Sequence, residues 1–168
     1  MKKPPPMTNQ DKTGVSMKNK KDKRMLPPTY IFLSLVVMVA LHFLLPVSKI
    51  IPFYWNLLGI IPFLLGLIIN LIADNDFKKH ETTVKPFKKS TSLVTRGVFR
   101  ICRHPMYLGF VLVFIGIAVF MGSLTPFAVV VVFAVLMDVV FIRVEEKMME
   151  ETFGEDWLEY KKKVRRWI

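Results

Sequence analysis

Four apolar runs, each long enough to reach across a bilayer, constrain this 168-residue chain more than any other feature. Residues 30–47 are almost wholly apolar, and about 18 residues at about 1.5 Å each cover most of a hydrocarbon core about 30 Å thick. Residues 50–73 form a longer run carrying Asn56 and Asn70, with Pro52 near its start and Pro62 inside, which predicts a tilted or kinked span. Residues 106–122 hold no charge, and residues 124–142 hold only Asp138. The Gly-Ser-Leu-Thr-Pro stretch at 122–126 reads as the turn of a tight helical hairpin. A soluble bundle would need far more polar surface to cover four such runs. The expected fold class is therefore all-α, a polytopic membrane protein with about four transmembrane helices.

Hydrophobic residues make up 52% of the chain, yet 24 Lys and Arg stand against 13 Asp and Glu, a net charge of +11. The two properties occupy different segments. Residues 1–24 hold eight basic side chains, residues 74–103 another eight and residues 143–168 seven, which leaves only Lys49. Basic residues collect on the cytoplasmic side, so both termini and the central loop are expected there, with the plasma (inner) membrane as the membrane spanned. The charge then has a topological cause, and no nucleic-acid partner is needed to explain it. The Lys-rich tail can touch anionic headgroups of the lipid bilayer, although a solvated tail is the plainer reading. Three regions follow: a disordered basic tail at 1–28, transmembrane helices 1 and 2 at 29–73, and a core at 74–168. The first run has no small-residue cleavage site after it and reads as an uncleaved anchor; the C-terminus carries no prenylation box. A single cysteine, Cys102, excludes a disulfide scaffold.

Chemistry is expected where polar residues meet the membrane on the cytoplasmic side. Pro105 suits the first turn of the third span, because its fixed φ fits a helix and its missing N–H would be unpaired there anyway. Arg103 and His104 then sit at a helix mouth that, with the Tyr107 hydroxyl, suits a carboxylate or phosphate. The same residue types also serve as interfacial anchors. Gly109 and Gly116 share one face, which permits close approach of a neighbouring helix or a flat ligand. After the fourth span come Glu145 and Glu146, one of which would point back toward the bundle and accept from an ammonium group; a solvated acidic face is the alternative. Gly154 is expected to end that helix. Beyond it Trp157, Tyr160, Val164 and Trp167 recur at helical spacing among basic residues, which predicts a cytoplasmic amphipathic helix lying on the membrane surface. His42 and Asp138 are polar residues within apolar runs, read as packing or snorkelling. Cys102, beside Arg103, has the setting for a lowered thiol pKa and is read as an ordinary small residue. No metal site is read from the sequence.

Taken together, the order of Leu-Val-Thr at 93–95, Phe99, Arg-His-Pro-Met-Tyr-Leu-Gly at 103–109, a hydrophobic hairpin, Glu145-Glu146, Phe153-Gly154 and Trp-Leu-Glu-Tyr-Lys-Lys-Lys-Val at 157–164 resembles the isoprenylcysteine carboxyl methyltransferases and the related phospholipid methyltransferases. The resemblance covers about residues 91–166. It implies an integral membrane enzyme that uses S-adenosylmethionine and methylates a lipid-bearing acceptor, with residues 74–168 as the methyltransferase core. It also implies cofactor contacts at Leu93, Val94, Phe99, His104, Pro105, Met106, Tyr107 and Glu145. The cofactor's ammonium suits Glu145, its carboxylate the His104 and Tyr107 mouth, and its sulfonium an aromatic such as Phe99 or Tyr107. Catalytic candidates are Glu146, the one further acid near the site, with Arg103 and Arg143 to orient an acceptor carboxylate bidentately. Arg166 could orient the carboxylate in the same way, but the family often has a proline before an arginine near the C-terminus, whereas here Val164 is followed directly by Arg165 and Arg166, which weakens that assignment. A carboxylate acceptor needs no general base, whereas an amine must first lose a proton; the scarcity of bases favours an isoprenylcysteine-type carboxylate over a phospholipid amine. The reading from another class is a non-catalytic membrane protein that binds lipid headgroups or a partner through its basic loops.

Overall fold

A computed structural model describes residues 27–45, 49–79 and 92–168. The expected disordered tail lies outside the described residues except for Pro27 and Pro28, which instead open the first helix, α1 (Pro27–Leu44). Proline is tolerated there because the first-turn N–H groups have no helical partner. The second run begins as a 3₁₀ segment (Phe53–Gly59) that leads into α2 (Ile60–Lys79). Pro62 lies in the first turn of α2, just after the 3₁₀ segment, so the irregularity of this run falls at the 3₁₀-to-α junction rather than in the middle of α2. α2 also outruns the apolar stretch by more than a turn and ends in an Asp74–Lys78 pair at 2.6 Å.

The hairpin forms with a shorter turn than the sequence predicts, because Leu124, Thr125 and Pro126 already belong to the next helix. α3 (Pro105–Met121) stops at Gly122, whose φ of 72° is left-handed, and α4 (Leu124–Met137) starts directly after Ser123. The Gly122 carbonyl accepts from the Ile50 and Ile51 N–H groups, so the segment after α1 closes this end of the bundle. α4 continues through one π-helical turn (Asp138–Ile142) into α5 (Arg143–Phe153). Gly154, with φ of 51°, then separates α5 from α6 (Glu155–Lys163). Among the described residues the only strand-like pairing is the isolated Lys49–Ser123 bridge.

The packing order is α1, α4, α3, α2. Met38, Phe114, Phe133, Met137 and Phe141 fill the core between α1, α3 and α4, with the Phe114 and Phe133 rings 4.5 Å apart. Between the second helical unit and α3 the backbones come close at glycines, with the Phe63, Asn70 and Val113 side chains packed beside them. A Cβ built on Gly116 would lie 2.6 Å from the Gly59 carbonyl oxygen, and one on Gly109 would lie 2.8 Å from that of Gly66. The shared face of Gly109 and Gly116 thus receives a helix, not a flat ligand.

Phe32, Phe43 and Leu71 on α1 and α2 are exposed, an apolar surface that lipid covers and water would not. α1, the unit Phe53–Lys79 and the continuous helix Leu124–Phe153 are each long and apolar enough to cross a membrane; α3, with 17 residues, is apolar but shorter and lies between α2 and α4. These apolar helices make the chain an integral membrane protein.

One expectation is corrected here. The apolar side of the C-terminal helix does not lie free for a bilayer: Trp157 and Tyr160 are buried inside the protein. Tyr160 donates to the Phe99 carbonyl at 2.6 Å, and the Arg103 guanidinium lies over the Trp157 ring at 5.7 Å. The helix also stops at Lys163, and Val164 is extended, so Trp167 reaches the main core from a non-helical segment.

Candidate functional site

The site is built where α3 begins. Residues 92–100 dock on the end of α2 through Val94 and Phe99, which bury against Ala73 and Phe77. Gly97 is required in that docking: its φ is 61°, and a Cβ would collide with the Asp76 carboxylate. The following residues deliver Arg103 and His104 to the head of α3, with Pro105 in its first turn as the sequence predicts. The Arg103 N–H donates to the Arg165 carbonyl at 3.0 Å, which ties the C-terminal segment across the same place.

Both acids of the Glu145-Glu146 pair turn inward, and they take different parts. Glu146 is fully engaged. Its Oε1 accepts from Arg103 Nη2 at 3.0 Å and Arg166 Nε at 3.1 Å, with His104 Nε2 at 3.4 Å, and its Oε2 accepts from Arg166 Nη2 at 2.7 Å. Arg166 reaches on to Asp138 at 3.1 Å, and Arg143 holds the other Asp138 oxygen at 3.0 Å. Glu145 is held on one side only: Tyr107 donates to its Oε1 at 2.7 Å, and His104 Nδ1 lies 3.7 Å from its Oε2. The Glu145 side chain is 20% exposed against 6% for Glu146, so the carboxylate left open to a ligand is Glu145.

The structure thus brings Arg103, His104, Pro105, Tyr107, Glu145 and Glu146 together. It places Val94 and Phe99 in the small core under the site, with Met106 packed against it, so these three support the loop more than they line an opening. Leu93 does line open space, a cavity of about 230 Å³ shared with Thr95, Phe153 and Tyr160. Tyr107 spends its hydroxyl on Glu145 and does not offer it to an incoming carboxylate. Arg143 is 62% exposed and touches Asp138 at the outer edge of the network, so it does not face the two glutamates.

Sequence reasoning named Arg166 only as a weak candidate to orient an acceptor and Asp138 as packing or snorkelling, and missed that the two pair with each other and with Glu146. A usable signal existed, since an acid inside an apolar run needs a cation partner. Cys102 is buried, and burial pushes its thiol up, opposite to the lowering that an adjacent arginine would suggest. Burial likewise raises the Tyr160 phenol and keeps it a donor. Arg103 is 7% exposed and keeps two buried donors, Nε and Nη1, without a partner.

With the geometry in place, the likenesses to known proteins can be stated. A family model described as phospholipid methyltransferase matches residues 54–156. The Protein-S-isoprenylcysteine O-methyltransferase of Saccharomyces cerevisiae is 34% identical over 113 residues, 65% of this chain and 46% of that protein. The nickel-cobalt-cadmium resistance protein NccN of Alcaligenes xylosoxydans xylosoxydans is 34% identical over 68 residues, 40% of this chain and 32% of that one. A solved eukaryotic intramembrane Ras methyltransferase, isoprenylcysteine carboxyl methyltransferase, matches with a TM-score of 0.59 over 84% of this chain and 51% of its own, at 24% identity, which shows a shared fold. The chain spans about half the length of these relatives or less.

Proposed function

The chain belongs to the phospholipid methyltransferase family, and on that premise we propose that it is an S-adenosylmethionine-dependent membrane methyltransferase whose acceptor is a lipid-bearing, isoprenylcysteine-type carboxylate. One observation carries this reading: Glu145 is a partly open carboxylate, oriented by Tyr107, beside a second carboxylate that is locked. A side chain so held suits the ammonium of the cofactor's aminoacyl end through a charge-assisted hydrogen bond. Bound there, the cofactor supplies an electrophilic methyl group on a sulfonium.

The protein's own residues do the rest by orientation. Tyr107 fixes Glu145, and His104 faces both acids. Arg103, with two unpartnered buried donors, is suited to hold an acceptor carboxylate, whereas Arg166 is already committed bidentately to Glu146 and Arg143 to Asp138. Methyl transfer needs donor and nucleophile in line, so holding both is most of the work. Glu146, surrounded by three donors, is poorly placed to take a proton from an amine, which favours a carboxylate nucleophile. Leu93 borders the cavity that leaves room for further cofactor contacts.

The deciding experiment is calorimetric titration of the detergent-purified protein with S-adenosylmethionine, followed by methyl transfer to a lipid extract. Binding together with a base-labile methyl ester on a prenylated acceptor is the expected result. A methylated amine headgroup would replace the acceptor class, and no cofactor binding would remove the enzyme reading. For orientation, we place both termini and the site in the cytoplasm, at the plasma (inner) membrane, from the basic segments. Reporter fusions at residues 49 and 124 should be external and one at residue 88 cytoplasmic; an external reporter at 88 would invert the site.

A further inference from the structure

The fourth span and its acids share one continuous helix, and that helix is not α-helical throughout. Val130, Phe133 and Met137 are buried at α-helical spacing, and the burial then runs on through Phe141 and Ile142 to Glu146. Between them the Arg143 N–H donates to the Asp138 carbonyl, five residues back, so one extra residue is held in the turn. The phase change can be calculated. In an uninterrupted α-helix Glu145 would point about 80° and Glu146 about 180° away from Met137. One inserted residue takes back about 100°, leaving them about 20° and about 80° from Met137, on the side of α3.

We propose that the π-helical turn at Asp138–Ile142 is the positioning element of the site: its one extra residue rotates Glu145 and Glu146 from the outer flank of the helix onto Tyr107, His104, Arg103 and Arg166. The proposal rests on the reading of Glu145 as a cofactor contact and adds what puts it there. Two contacts fix the turn in this register. Phe141, within it, stacks on the Tyr107 ring at 6.4 Å, and Tyr107 in turn holds Glu145. Asp138, at its start, accepts from Arg166, which grips Glu146. Both acids are thus anchored to the same turn that rotates them. An α-helical version would keep the apolar packing up to Met137 and lose the acid pair.

The test compares deletion of Val139, a half-exposed residue of the turn with no part in the site, with insertion of one alanine between Ile142 and Arg143. Deletion lets the turn close as an α-turn and leaves the residues after it in the parental phase, whereas the insertion advances them by about 100° and takes Glu145 to about 80° and Glu146 to about 180° from Met137. Cofactor affinity of the full chain should be kept on deletion and fall more than about tenfold on insertion, the size of one lost charge-assisted hydrogen bond. A second readout does not depend on the cofactor. Lys147 points outward, about 180° from Met137; deletion should leave it there and the insertion should bring it to about 80°. Alkylation of Lys147→Cys by a water-soluble maleimide should therefore keep its rate on deletion and slow several-fold on insertion, against little background from buried Cys102.

An insertion that leaves alkylation or cofactor affinity unchanged, or a deletion that lowers them as far as the insertion does, would overturn the proposal. If the parent binds no cofactor, the methyltransferase reading falls and alkylation alone decides the register. Should the insertion variant not fold, alkylation in the deletion variant decides: the parental rate upholds the register and a several-fold slower one overturns it.

Discussion

At its C-terminal end α3 is closed by neutral groups: the Gly122 carbonyl takes two N–H donors, and the buried Ser123 hydroxyl pairs with His42 at 2.7 Å. At its N-terminal end Arg103, Arg166, Asp138 and both glutamates converge around His104. Both ends seal a helix mouth within one small bundle, yet only one carries charge into the protein. Sealing a helix needs no ions, and burying them is costly, so the charged end is kept for something other than stability. Within it, Glu146 holds the arginines, and Glu145 is the acid we propose for the cofactor.

The harshest way to break that comparison is Glu146→Gln. It leaves Arg103 buried with weakened compensation and should cost about 3–5 kcal/mol of stability, read as a lowered unfolding midpoint in detergent. A fully stable variant would mean that the network does not hold the fold. Glu145→Gln should spare stability and cost about 1.5–3 kcal/mol of S-adenosylmethionine affinity. If its effect fell on stability instead, the roles of the two acids would be reversed. Tyr107→Phe releases Glu145 from its one hydroxyl donor; affinity should drop by about 0.5–1.5 kcal/mol in the same titration. At the other end, Ser123→Ala removes the His42 bond and should lower stability by about 0.5–1.5 kcal/mol with cofactor affinity untouched. A change of affinity there would show that the two ends are coupled along α3.

Much of this was legible in the sequence, for reasons particular to each element. The apolar runs had to become helices because lipid offers no partner for a backbone N–H, and Pro105, Gly122 and Gly154 mark helix boundaries by their own backbone preferences. The Arg103-His104-Pro105 and Glu145-Glu146 stretches stood out as polar residues flanking apolar ones. The extra residue at Asp138–Ile142 was not legible, because Val139, Val140 and Phe141 read alike in an α-turn or a π-turn. Periodicity found the apolar face of α6 but could not say whether lipid or Phe99 and Arg103 would cover it. Arg166 was hidden by distance, its partners lying 20 and 28 residues back along the chain.

The glycine seam between α2 and α3 has a consequence for traffic within the bilayer. A contact lined by side chains can open a little at a time, as one rotamer after another swings aside. Backbone laid on backbone, as at Gly59 with Gly116 and Gly66 with Gly109, has few such movable parts beyond Phe63, Asn70 and Val113: it is shut, or the helices separate altogether. The α2–α3 flank is therefore a wall rather than a door, and a lipid-bearing acceptor of the kind proposed would come by another side.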